Sequence, residues 1–196
     1  LVDSSFASVD AGDSSALERE IRSGTIDVGR FVPDHFAVSL NTPVFGTACG
    51  SFTYIGQAFN YTTAPVITVT AQGFANNTTT LYTDATKWWR ITNTSVTPAT
   101  QAARYSSAPG TGTLDVSGLP AVASDPTISA AGSGMGSLTF GSGSGLFYTR
   151  STPTAPASPY NADISLAINV IDADLVTSAT NPASFGTATA GNGIAF

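Results

Sequence analysis

The chain has 196 residues, of which 42% are hydrophobic and only 10% charged, against roughly 25% charged in an ordinary soluble domain. Its surface must therefore be built from Thr, Ser, Asn, Gln and backbone, while the abundance of aromatic and β-branched residues excludes disorder. Seven basic residues against thirteen acidic ones give a net charge of −6, which leaves nothing for a phosphate-binding patch or a basic membrane-surface face.

At the N-terminus, "LVDSSFASVDAGD" lacks the charged and apolar regions of a signal peptide. If the protein is exported, we expect its signal to have been removed or to lie upstream. Residues 13–31, "DSSALEREIRSGTIDVGRF", allow two readings. Ser15 followed by Glu18 resembles a helix capping box, with Leu17 and Ile21 four apart. The same residues form a hairpin turning at Ser23-Gly24, with Ile26 and Val28 alternating on the return. The hairpin or an extended approach is the favoured expectation.

From residue 35 onward the strand signals are strong. "HFAVSL" (35–40) alternates behind Pro33, which biases the chain to an extended form. "FTYI" (52–55) is a further short candidate. "PVITVTA" (65–71) places Val66, Thr68 and Thr70 on one face and Ile67, Val69 and Ala71 on the other. "TTLYT" (79–83), "WWRITNT" (88–94), "GTLDVSG" (112–118), "GSLTF" (136–140) and "GLFYTR" (145–150) follow. In "ADISLAINVID" (162–172), Ile164, Leu166, Ile168 and Val170 alternate with Asp163, Ser165, Ala167 and Asn169. Gly, Pro, Asn and Asp separate these runs, as in a sandwich or barrel. The expected fold is all-β: an Ig-like or related antiparallel β-sandwich with long Gly/Ser/Thr-rich loops and little helix. We expect one elongated domain over 1–196, with two β subdomains split near the loop-rich stretch 107–137 as the alternative. "GSGSG" (141–145) suits a tight connection, and the tail from Thr177 is a loose end or an edge segment awaiting a partner. No run approaches the roughly 18 apolar residues of a membrane span.

The chemistry-bearing residues are few. His35 is the single histidine. A general base needs a nucleophile beside it and a group that orients it, and Asp34, adjacent along a strand, is expected on the opposite face. A structural or surface role is the expectation. Cys49, the single cysteine, excludes an internal disulfide and every multi-cysteine metal site. It is expected to be a small buried hydrophobe or to pair outside the segment. "GSGMGS" and "GSGSGL" have Gly where a nucleophile elbow needs Ser, and neither fits a dinucleotide or phosphate loop. Asp172 and Asp174, just past the strongest strand, are the candidate calcium ligands, because two carboxylates at a strand end can join loop carbonyls in a hard-oxygen site. Asp10 and Asp13 are a weaker pair. Trp88-Trp89, between Lys87 and Arg90, would put one indole inward and one outward on a strand. With Tyr82 they form the candidate ligand site, an exposed Trp being able to stack on a sugar ring or a partner's surface.

Taken together, "DVGRFVPDHFAV", the cysteine, "FTYIGQAF", "ITVTAQ" and the later "PYNADISLAINVIDAD" resemble a domain of large bacterial surface proteins of the MshQ type. These are associated with biogenesis of mannose-sensitive haemagglutinin pili, of the type IV class. The likeness is dense over roughly 29–72, patchy from 73 to 158, and returns near 159–174. It implies an exported, cell-surface, pilus-associated module of a Gram-negative bacterium, cut from a longer protein, whose partners are other pilus or surface components. His35 then belongs to a structural signature. The expected function is non-enzymatic, in pilus biogenesis or adhesion, with no cofactor unless calcium. The alternatives are a carbohydrate-binding module using Trp88 or Trp89, for which glycans are the partners, and a fibre subunit assembled by strand exchange. No nucleic acid and no membrane insertion are expected.

Overall fold

The computed structural model describes residues 2–3, 12, 15, 17–22, 24–25, 31–83, 88–108, 112–150, 158–186 and 192–196. The chain divides into two units, Leu1–Phe31 and Val32–Phe196.

In the first unit, β1 (Val2–Asp3) pairs antiparallel with β2 (Ile21–Arg22), Val2 opposite Arg22 and Asp3 opposite Ile21. The hairpin expected at Ser23-Gly24 would use Ser23 in its turn and Ile26 and Val28 on its return. Ser23, Ile26 and Val28 lie outside the described residues. The capping-box residues do meet: Ser15 N–H and hydroxyl both donate to Glu18 Oε2 at 2.8 Å. These bonds hold the Glu18 carboxyl below the usual carboxylate range. They close one turn over Leu17–Arg19, and the chain then leaves for β2 instead of continuing as a helix.

The second unit is built on two antiparallel sheets in a sandwich-like all-β arrangement. The first has the order β10 (Thr127–Gly132), β11 (Met135–Thr139), β6 (Val66–Gln72), β3 (His35–Leu40). Alternation dictates which face is inward: Ile67, Val69 and Ala71 of β6 are buried while Val66, Thr68 and Thr70 are partly exposed. β3 runs beside β6 in unbroken register from His35–Gln72 to Leu40–Ile67. β10 and β11 form a hairpin whose two connecting residues, Ser133 and Gly134, both have positive φ (50° and 77°). A turn of this mirror-image kind matches the strand twist.

The second sheet is organised around β13 (Asn161–Val170), whose Ala162, Ile164, Leu166, Ile168 and Val170 are fully buried or nearly so. Ile164 pairs with both Asn192 and Ser107, and Leu166 with both Phe185 and Tyr105. Hence β15 (Asn192–Ala195) and β14 (Ala183–Phe185) share one edge of β13, while β8 (Tyr105–Ala108) lies along the other. β7 (Val96–Thr97) pairs with the end of β13. Two stretches of the Gly-rich tail, Ala183–Phe185 and Asn192–Ala195, therefore pair within their own chain. Two smaller pairs complete the unit, β4 (Val44–Gly46) with β5 (Asn60–Thr63), and β9 (Gly112–Asp115) with β12 (Phe147–Arg150). "GSGSG" is the tight connection into β12, held by Ser144 N–H to the Gly118 carbonyl at 2.9 Å.

Three expected strands are something else. "FTYI" is an isolated bridge and a turn, "TTLYT" is turn and bend, and "WWRITNT" is irregular chain ending in a 3-10 turn over Asn93–Ser95. Their aromatic and β-branched residues are buried or presented by turns, without a ladder of strand pairing. One short helix, α1 (Gln101–Arg104), is capped by Thr100, whose hydroxyl accepts from Ala103 N–H.

α1 carries a polar knot into the core. Arg104 is 2% exposed and donates to three backbone carbonyls, those of Pro98 (2.7 Å), Asp125 (2.9 Å) and Val96 (3.3 Å). Asp125, 1% exposed, accepts from Gly141 N–H (2.7 Å) and the Gln101 amide (2.8 Å). These bonds tie α1, the loop before β10 and the chain after β11 together.

Candidate functional site

His35 opens β3, and both ring nitrogens are engaged: Nδ1 lies 2.9 Å from Asp34 Oδ2, and Nε2 lies 3.0 Å from Gln72 Oε1 on the neighbouring strand. Asp34 does not point to the opposite face as expected. It sits in a bend before the strand begins, so the alternation rule does not yet govern it. The third group a nucleophilic site needs is missing here, because the position of a hydroxyl at Nε2 is taken by the Gln72 amide.

The three residues of the expected ligand site differ in exposure. Trp88 is exposed and Trp89 half-buried, so the inward–outward split holds although the backbone is not a strand. Trp89 lies over Gly136 of β11, where any Cβ would overlap the indole. Tyr82 is buried between Phe36 (5.6 Å) and Trp89 (5.4 Å). Its hydroxyl donates to Asp172 Oδ2 at 2.7 Å and accepts from Arg90 N–H at 3.1 Å. Of the three rings, that of Trp88 is exposed, that of Trp89 partly so, and that of Tyr82 is enclosed.

Asp172 closes the turn after β13. Its Oδ1 accepts from Asp174 N–H (2.8 Å) and Val176 N–H (3.0 Å), while Oδ2 takes the Tyr82 hydroxyl. Asp174 lies 3.9 Å from Arg90 Nε. A calcium ion at Asp172 would have to displace three protein donors. No cluster of three or more His, Cys, Asp or Glu suited to a metal occurs among the described residues. Asp10 and Asp13 lie outside them. We expect millimolar calcium, or its chelation, to leave the thermal midpoint unmoved. A midpoint that climbs with calcium concentration would reveal a site.

A concave aromatic surface lies elsewhere in this unit. A groove of about 770 Å³ is lined by Phe52, Tyr54, Arg150, Tyr160, Asn161 and Phe196, with small polar and apolar residues between them. Its rim is Phe52 (39% exposed) and Tyr54 (61% exposed), whose rings meet edge to face at 5.0 Å. Its floor is Tyr160 stacked on Phe196 at 5.5 Å, and Phe196 also contacts Tyr148 (5.0 Å) and Phe59 (5.6 Å) of the core.

Local chain geometry explains the rim. Cys49 and Phe52 exchange backbone bonds of 2.8 and 3.1 Å around a tight turn in which Gly50 has φ +61°. The next turn is closed by Gln57 N–H to the Tyr54 carbonyl, with Gly56 at φ +86° and its N–H on the Tyr148 carbonyl. Gln57 Oε1 then accepts from Tyr54 N–H (3.3 Å) and the Cys49 thiol (3.5 Å). One amide side chain thereby joins both turns and aims Tyr54 outward.

The family model described as DUF6701, third domain, matches residues 7–194. The chain belongs to this family. No curated protein and no solved structure matches it. In this DUF6701 domain the groove draws its rim from "FTYI", whose pattern suggests a strand, and its floor from Tyr160 and Phe196, over a hundred positions away. The one local signal was the pair of aromatics flanked by glycines.

Proposed function

We propose that this DUF6701 domain is a non-enzymatic binding module of an exported bacterial surface protein, acting in pilus biogenesis or adhesion. The likeness to MshQ-type proteins supports the setting, and the sparse charge suits a module displayed outside the cell. The observation that carries the reading is the groove: exposed rings at its rim, no nucleophile–base pair in its lining, and a floor rooted in the core. Preformed concave aromatic surfaces of this kind bind ligands without needing to react with them. No helix among the described residues is long and apolar enough to cross a membrane. The fibre-subunit alternative gains no support, since β14 and β15 already complete β13 within their own chain.

The test is made in the parent protein. Deleting the domain, or replacing Tyr54 by Ala, is expected to reduce surface attachment or piliation while the protein is still exported. Cells that attach and assemble pili normally with the domain deleted would rule the reading out.

A further inference from the structure

The first sheet ends in a strand whose outer edge is bare. Phe140 N–H donates to the Pro65 carbonyl (3.0 Å) and Ala71 N–H to the Gly134 carbonyl (2.8 Å), so the even-numbered residues of β11 bond toward β6. Antiparallel ladders alternate, and Ser137 and Thr139 therefore bond toward their partners Ser129 and Thr127 on β10. The residues between and beyond these, Ile128 and Ala130, turn both N–H and carbonyl away from the sheet. Nothing among the described residues bonds to those four groups. The opposite edge is different. There Phe36 of β3 donates to the Thr177 carbonyl (3.0 Å) and accepts from Ala179 N–H (2.9 Å), and β14 packs beside β3.

An open edge invites another strand, and proteins guard such edges with lysine, proline or a bulge. Here Pro126 precedes β10 and the bulge between Ala130 and Gly132 ends its regular part, but the residues between them carry no guard. Two bonding residues remain, spaced two apart. Such a pair is its own complement. A two-fold axis at Ser129 sets Ile128 opposite Ala130 of a second copy, and Ala130 opposite that copy's Ile128. Each meeting exchanges both backbone bonds. The side chains agree with this register: half-buried Ile128, which packs on the core, faces the small Ala130, and exposed Ser129 meets itself.

Charge selects the occupant. In a two-fold contact a charge near the axis meets its own sign, so a charged edge favours some other protein and a neutral one admits a copy. No charged residue occurs from Pro126 to Thr149, in a chain of net charge −6. We infer that β10 is a self-association edge, which joins two copies of the domain antiparallel and makes their two four-stranded sheets continuous.

The contact is smaller than a standard interface, so half of the chains should be paired at about 100 µM. Sedimentation velocity across that concentration is expected to show monomer passing to dimer, with no larger species. Hydrogen exchange should slow at the Ile128 and Ala130 amides as dimer forms. Ser129→Lys should weaken pairing about tenfold, because like charges then meet on the axis, and Ser129→Glu should do the same. Both should keep the parent's melting curve in dilute solution, since the position is exposed. Mixed in equal amounts, the two variants should pair again. Thr68→Lys, in the same cross-strand row but on β6, should change nothing. A chain that stays monomeric, growth beyond the dimer, or protection at Val38 and Leu40 of β3 instead of β10 overturns the inference. So does pairing that survives Ser129→Lys, or a Lys–Glu mixture that remains monomeric.

Discussion

Replacing Arg104 by alanine is expected to destabilise the Val32–Phe196 unit by about 3–5 kcal/mol, the range for removing one partner from a buried charged network. Three carbonyls, those of Val96, Pro98 and Asp125, lose their donor at once, and the bonds to Val96 and Asp125 are buried where water cannot replace the donor without opening the core. Lysine would not rescue the site, since a single ammonium cannot span three acceptors that the guanidinium fork reaches together. Urea unfolding measures the loss directly, and the thermal midpoint should fall by about 10 °C for a unit of this size. A loss under about 1 kcal/mol would mean that the knot is ornamental.

The same substitution should alter the pH dependence in a definite direction. Burial pushes the Asp125 carboxyl above the ordinary aspartate value of 3.8, while Gly141 N–H, the Gln101 amide and the Arg104 charge hold it down. A carboxyl whose folded value is raised contributes stability that is complete below 3.8 and lost as pH rises through the raised value. Without Arg104 that value climbs further, so more is lost. The deficit of Arg104→Ala relative to the parent should therefore be smallest near pH 4 and grow toward neutrality. A deficit that is flat with pH, or that shrinks, would separate Asp125 from the effect.

The second large effect is expected at Asp172. Asp172→Ala orphans the Tyr82 hydroxyl and the N–H groups of Asp174 and Val176, and should cost about 2–4 kcal/mol. Asp172→Asn keeps an oxygen for the two N–H groups and should cost less than half as much. Tyr82→Phe removes the hydroxyl alone and leaves one carboxylate lone pair and Arg90 N–H unserved, for about 1–2 kcal/mol. Since Tyr82 packs on Trp89 at 5.4 Å, loosening it should also shift tryptophan emission. The double variant Tyr82→Phe/Asp172→Ala should lose less than the two single losses added together. Strict additivity would show that the two residues act independently.

Much of the fold is legible in the residues, because β6 and β13 each bury one face and so must alternate with period two. β3 is marked the same way, and Pro33 starts it cleanly. The departures from the expected strands are of two kinds. β10, "TISAAG", and β15, "NGIA", are made of small residues that carry little hydrophobic signal, and their place is set by a partner instead. "FTYI" and "WWRITNT" err in the opposite sense: ring-rich segments are buried or presented by turns, which composition alone cannot separate from strands. At the sites, the unequal exposure of Trp88 and Trp89 arises without the strand that the residue pattern suggests, and the burial of Tyr82 depends on Asp172 ninety positions away. The groove could not be found from any single stretch, because its rim and its floor come from opposite ends of the unit.

The stacked floor has a consequence for how such a domain diversifies. Tyr160 and Phe196 contact one another and Tyr148, so a substitution there disturbs the interior before it alters any guest. Phe52 and Tyr54 stand on the lip, with their rings against each other and partly in solvent. Variants of this domain can therefore exchange one preference for another at the lip alone, keeping a common basin beneath, and sampling new hosts or surfaces need not endanger the scaffold.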